Sequence, residues 1–123
     1  MSALLDTNVL IDHLRNREPA VDFITKLPRK PAASVVTLCE LMAGARSRKE
    51  EEAIASLACW IRFLNVDTAI ARRAGEHIRQ YGQSHGIDDL DALIAATADH
   101  HGLALATLNV KHFPMFPRLK PAY

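Results

Sequence analysis

The chain has 123 residues, 49% of them hydrophobic and 24% charged, a composition that excludes a disordered segment and fits a single domain over residues 1–123 with its own core. Fifteen Lys and Arg against fourteen Asp and Glu give a formal net charge of +1, which excludes a strongly basic nucleic-acid coat or a polybasic membrane binder but not a local basic face. No apolar run approaches the roughly 20 residues of a membrane helix, no secretory leader opens the chain, and Cys39 and Cys59 make neither a CxxC pair nor a disulfide framework, so a cytosolic protein with buried thiols is expected.

In chain order, Ala3-Leu4-Leu5 reads as a buried first strand ending at Asp6. Thr7 is expected to cap a helix through Leu10 and Leu14 to about Arg17, and Glu18-Pro19 to open a second helix, since Pro is favoured in a first turn. Pro28 and Pro31 stop that helix, and Ala32 to Val36 reads as the second strand. Thr37 is expected to start a third helix that ends near Gly44. Past the charge cluster Arg46 to Glu52, the apolar spacing of Ile54, Leu57, Ala58 and Ile61 predicts an amphipathic helix. Phe63 to Val66 reads as a third strand. Asp67 or Thr68 caps a long helix closed by Gly82 and Gly86, and Asp88-Asp89 opens another that Gly102 ends. Leu103 to Thr107 is a further strand, and the tail from His112, with three prolines, reads as extended. Strands that alternate with helices predict an α/β fold whose mostly parallel central sheet is covered on both faces. Right-handed crossovers then align all strand C-termini along one edge, where such folds bind ligands.

Asp6, Glu40, Asp91 and Asn109 all fall at that predicted edge. Carboxylates gathered there repel one another unless a cation compensates, and an oxygen-only set points to Mg²⁺ or Mn²⁺ rather than Zn²⁺. Each acid also has a plainer reading. Asp6 can cap the helix after it, Thr37-x-x-Glu40 fits a capping box, and Asp88, Asp89 and Asp91 complement a helix dipole. Of these last three, Asp88 is expected as the cap, Asp89 as solvated and Asp91 as functional.

Taken together, Leu-Leu-Asp6-Thr7-Asn8, Ser34-Val-Val-Thr37-Leu-Cys-Glu40-Leu, Asp91-Ala-Leu-Ile-Ala-Ala-Thr97 and Ala106-Thr107-Leu-Asn109 resemble the PIN-domain ribonucleases, in particular the VapC toxins of bacterial toxin–antitoxin pairs. The resemblance covers essentially the whole chain. It implies a PIN-like three-layer α/β/α sandwich and a metal-dependent endoribonuclease, using Mg²⁺ with Mn²⁺ as a substitute, that cuts single-stranded regions of structured RNA. It also implies a homodimer and neutralisation by a VapB-like antitoxin in a heterotetramer or larger assembly. Asp6, Glu40 and Asp91 match the three regular acidic positions. A fourth acid is missing: Asn109 takes one plausible place and His112 the other. On this reading Asp6 and Asp91 hold Mg²⁺ directly, Glu40 completes the shell or orients the attacking water, and Asn109 is a neutral ligand or a donor to the scissile phosphate. Thr7 steadies the Asp6 loop.

Arg15, Arg17, Arg46, Arg48, Lys49, Lys111 and His112 can serve RNA phosphates only if some of them cluster around the acids. Few aromatics suit base stacking; Trp60 and Tyr81 read as core or interface. His85, His100 and His101 do not read as a zinc site, and Cys39 reads as a buried small hydrophobe. Phe23, Ile24 and Leu27, with Ile54, Leu57 and Ile61, either line a groove for an antitoxin helix or pack on the sheet. Receiver-like and dehalogenase-like folds want a second acid after strand one, where Thr7 and Asn8 stand. The remaining alternative is a catalytically idle PIN-like binding or dimerisation module.

Overall fold

Four three-residue strands and six helices follow one another along the chain, with residues 2–123 described in a computed structural model. The order is β1 (Ala3–Leu5), α1 (Thr7–Leu14), α2 (Glu18–Thr25), β2 (Ala32–Ser34), α3 (Val35–Gly44), α4 (Arg48–Ser56), β3 (Arg62–Leu64), α5 (Thr68–His85), α6 (Asp89–His101) and β4 (Ala104–Ala106). Short 3₁₀ turns cover Leu57–Cys59 and Val110–His112. The sheet runs β3-β2-β1-β4 with every pair parallel. Leu4 sits opposite Ala32 on one side and Leu105 on the other.

Successive side chains of a strand point to opposite faces, and β1 shows the result. Leu5 joins Val9, Leu10, Leu41, Ile54, Leu57 and Ile61 under α1, α3 and α4. Leu4 joins Ile94, Ala95, Ala98, Leu105 and Phe113 under α6. A third cluster of Ile70, Ala74, Ile87, Ala92 and Ala96 joins α5 to α6. The alanines of α6 let it lie close to neighbours on several sides, so Ala92 and the whole run Ile94 to Ala98 are buried.

The predicted α/β architecture is present, and the element ends differ where a local hydrogen bond outweighs the apolar pattern. Asp6, not Thr7, caps α1. Ser34 takes the backbone N–H of Val36 at 3.0 Å, so α3 begins at Val35, ahead of Thr37. Ser47 caps α4 inside the charge cluster, and that helix stops at Ser56, short of Ile61. The strand expected at Phe63 to Val66 is Arg62–Leu64. Asp67 caps α5, Gly82 stays inside it, and Gly86 and Gly102 end α5 and α6 in the left-handed region. Both cysteines are exposed rather than buried; Cys39 lies on α3, whose buried positions are Val36, Thr37 and Leu41. The tail returns across the molecule, with Ala122 N–H donating to Thr107 O at 2.9 Å and Tyr123 hydroxyl to Asp12 Oδ2 at 2.7 Å. Among the described residues no helix is long and apolar enough to cross a membrane.

Candidate active site

Because β1, β2 and β4 are parallel, their C-terminal ends share one edge, and the chain delivers a polar side chain at each. Asp6 follows β1 directly, is 4% exposed, and caps α1 by accepting Thr7 N–H at Oδ1, 2.8 Å. The β1–β4 register sets Leu5 opposite Ala106, so the next residues, Asp6 and Thr107, meet. Thr107 donates its hydroxyl to Asp6 Oδ2 at 2.7 Å. The same hydroxyl accepts from Asn109 N–H at 3.0 Å and from the Asn8 amide at 3.3 Å. Asn8 Oδ1 in turn accepts Leu108 N–H at 3.3 Å. A hydroxyl has one proton and two acceptor directions, and Thr107 uses them all.

Glu40 is not the reciprocal half of a capping box. With α3 starting at Val35, it lies in the second turn, and its Oε1 accepts the Thr7 hydroxyl at 2.6 Å. Thr37 Oγ1 lies 3.1 Å from the same Thr7 oxygen. Thr7 therefore joins two acids, Asp6 through its backbone and Glu40 through its side chain.

Asp91 enters from the first turn of α6, where Asp88 is the cap, as expected, through the N–H of Leu90. Its Oδ2 stands 3.1 Å from His112 Nδ1. Burial, and then the charge of Asp6, push the Asp91 carboxyl up to about 6, with His112 pulling the other way. Burial also raises Asp6, against the hydrogen bonds from Thr107 and Thr7 and the attraction of His112. Desolvation and like-charge repulsion both favour the protonated acid, and the effect of the Asp6 charge on Asp91 marks the two as neighbours.

The structure thus brings Asp6, Glu40, Asp91 and His112 to one place. Asn109 contributes its backbone N–H to Thr107, and its side chain caps nothing. Sequence reasoning includes Thr107 and Asn8 in the motifs at the ends of β4 and β1 but assigns neither a role; their contacts to the acid side emerge only in the fold. Among the described residues no three of His, Cys, Asp and Glu stand close enough to enclose a metal ion. The donor set nevertheless suits a hard cation: two desolvated, mutually repelling carboxylates, with a third one hydroxyl away, are satisfied by a small divalent ion with oxygen preference.

Beside Glu40, a cavity of about 210 Å³ opens between α1, α3 and α4, lined by Ile11, Leu14, Arg15, Leu41, Ala53 and Ile54 among others. Leu57 and Ile61 are each 2% exposed; they pack in the core and do not line it. A larger cavity of about 730 Å³ lies between the start of α5 and the end of α6, roughly 12 Å along α6 from Asp91. Its Arg73–Asp99 pair, 2.6 Å apart, already balances its charge.

A family profile described as PIN domain matches residues 3–116. The chain is 46% identical over 123 residues to ribonuclease VapC10 of Mycobacterium tuberculosis, covering 98% of this chain and 92% of that protein. The fold is similar to that of a toxin–antitoxin complex from Klebsiella pneumoniae, with a TM-score of 0.85, 32% identity and coverage of 99% of this chain and 98% of that one. It is also similar to DNA-bound VapBC from Salmonella typhimurium, with a TM-score of 0.83, 26% identity and coverage of 100% and 99%.

Proposed function

The chain belongs to the PIN-domain family, and from that premise we propose that it is an endoribonuclease toxin of the VapC type, acting as one domain and held in check by a VapB-like antitoxin. Its substrate is RNA, cut in single-stranded regions of structured molecules. The observation that carries this reading is that Asp6 and Asp91, 85 residues apart in sequence, lie at one sheet edge with Asp91 within reach of the charge of Asp6.

The cofactor is Mg²⁺, with Mn²⁺ as a substitute, held by Asp6 and Asp91 and completed by Glu40. When bound it activates water and shields the phosphoryl oxygens. The residues do the rest. Thr107 and Thr7 fix the two oxygens of Asp6. Glu40, oriented by the Thr7 hydroxyl, aligns the attacking water with the scissile phosphodiester. Asn109 supplies a neutral polar contact to the phosphate. In-line attack by water leaves a 5′-phosphate and a 3′-hydroxyl.

For the antitoxin, the cavity between α1, α3 and α4 supports a specific seat: it joins apolar Ile11, Leu14 and Ile54 to Glu40 at its margin, so an amphipathic helix seated there reaches the acids. The active unit is a homodimer that forms a heterotetramer or larger assembly with its antitoxin. Cleavage of a structured RNA in Mg²⁺, mapped by sequencing 5′ ends, tests the enzyme reading. Asp6→Ala and Asp91→Asn each should lower the rate by at least about a hundredfold. Wild-type rates in either variant contradict the assignment.

A further inference from the structure

Building on the metal-dependent reading above, we propose that the pocket takes one divalent cation and not two, because His112, 3.1 Å from Asp91 Oδ2, brings no negative charge to the place beside that acid. Two-cation phosphodiester sites set their ions about 3.5–4 Å apart and draw on several anionic oxygens. Each small divalent ion prefers a full oxygen shell. In this pocket the oxygens are largely engaged. Both oxygens of Asp6 accept hydrogen bonds, from Thr7 and Thr107. Glu40 Oε1 accepts from Thr7, and Asp91 Oδ2 faces His112.

Among the described residues, that leaves Asp91 Oδ1 and Glu40 Oε2 without a hydrogen-bond partner. Together with the remaining lone pairs of Asp6, they suffice for one ion with water completing its shell. The next candidates do not help. Asp88 is spent on capping α6, Asp89 is exposed, and Asn109 carries no charge. An imidazole in either protonation state brings no negative charge to the position.

His112 sits on an anchored backbone, with its side chain 56% exposed. It ends the 3₁₀ turn Val110–His112, and the next residue, Phe113, is 1% exposed in the cluster beneath α6. Phe113 N–H also bonds Val110 O at 3.1 Å. A different side chain at position 112 therefore departs from the same backbone point, beside Asp91. His112→Asp places a carboxylate there without moving the turn.

The test is titration of the chain with Mn²⁺ alone, read by calorimetry and by electron paramagnetic resonance, with no RNA present. Wild type and His112→Asn should each bind one ion per chain, with the spectrum of an isolated Mn²⁺. His112→Asp should bind two, with the spin coupling of a close pair. Two ions in the wild-type chain overturn the inference and leave the nuclease reading standing, as does a single ion in a folded His112→Asp. Absence of Mn²⁺ binding by the wild type overturns the metal-dependent reading itself. If His112→Asp fails to fold, the wild-type stoichiometry still decides.

Discussion

Thr107 shows how one neutral side chain sets a charged one. It is fully buried, and its single proton goes to Asp6 while both acceptor directions are taken by Asn8 and Asn109. Thr107→Val keeps the shape and removes the hydroxyl, stranding buried Asp6 and the Asn109 N–H. The expected cost is about 1.5–3 kcal/mol in a denaturant titration, and misplacement of Asp6 should slow RNA cleavage roughly tenfold to a hundredfold. Thr107→Ser retains the donor and should recover most of the rate. A Val variant with full activity would show that Asp6 does not depend on this contact.

Asp91 supplies a prediction of opposite sign for stability. Its folded carboxyl titrates near 6, above the 3.8 of an ordinary Asp. Between those values the metal-free folded protein holds a proton that the unfolded chain has released, so stability falls as pH rises through that window. The penalty is complete above about pH 6. Asp91→Asn should therefore stabilise the metal-free protein at neutral pH by about 1–2 kcal/mol while abolishing cleavage, as thermal melts in chelator would reveal.

At the level of elements, the helices were legible where capping and apolar spacing agree, as in α2, α5 and α6. They were misjudged where a neighbouring polar residue makes the decisive bond. Ser34 rather than Thr37 starts α3, and that shift of register frees Glu40 to face Thr7. The capping-box pattern offered Glu40 a local bond beside its functional reading, and the partner it actually meets lies 33 residues away. The exposure of Cys39 has the same origin, since apolar character does not reveal which face of α3 meets the sheet.

The α5–α6 pair carries an acid-sensitive contact. His77 on α5 is 8% exposed, its buried Nε2 has no hydrogen-bond partner, and burial lowers its pKa below 6.5, with Arg73 adding to the effect and Asp99 and Glu76 opposing it. Its contribution to stability is whole above the unfolded value and is lost as pH falls through the folded one, because the unfolded chain takes the proton more readily. Cooling of the melting temperature between about pH 7 and about pH 5 should be shallower in His77→Phe than in wild type. Part of the slope should persist through His13, which burial also lowers and which packs edge-on against Trp60 at 4.9 Å. Equal slopes in the two proteins would clear His77 of this role.

Across the whole molecule, the parallel sheet was readable because alternation of strand and helix permits few topologies, and the shared edge follows from topology alone. That is why Asp6, Glu40 and Asp91 could be named together across a separation of 85 residues. What could not be read were the contacts that tune them. The sequence marks Thr107 only as part of a motif and His112 only as a place where an acid is missing; each gains its contact because the β1–β4 register and the buried Phe113 deliver it to an acid.

The pocket draws on residues 6–8, 37–40, 91 and 107–112, and β4 joins the sheet only beside β1. Without β4 and the segment after it, Asp6 is left without Thr107 and Asp91 without His112, so a stretch that supplies none of the three acids is expected to set the geometry of two of them.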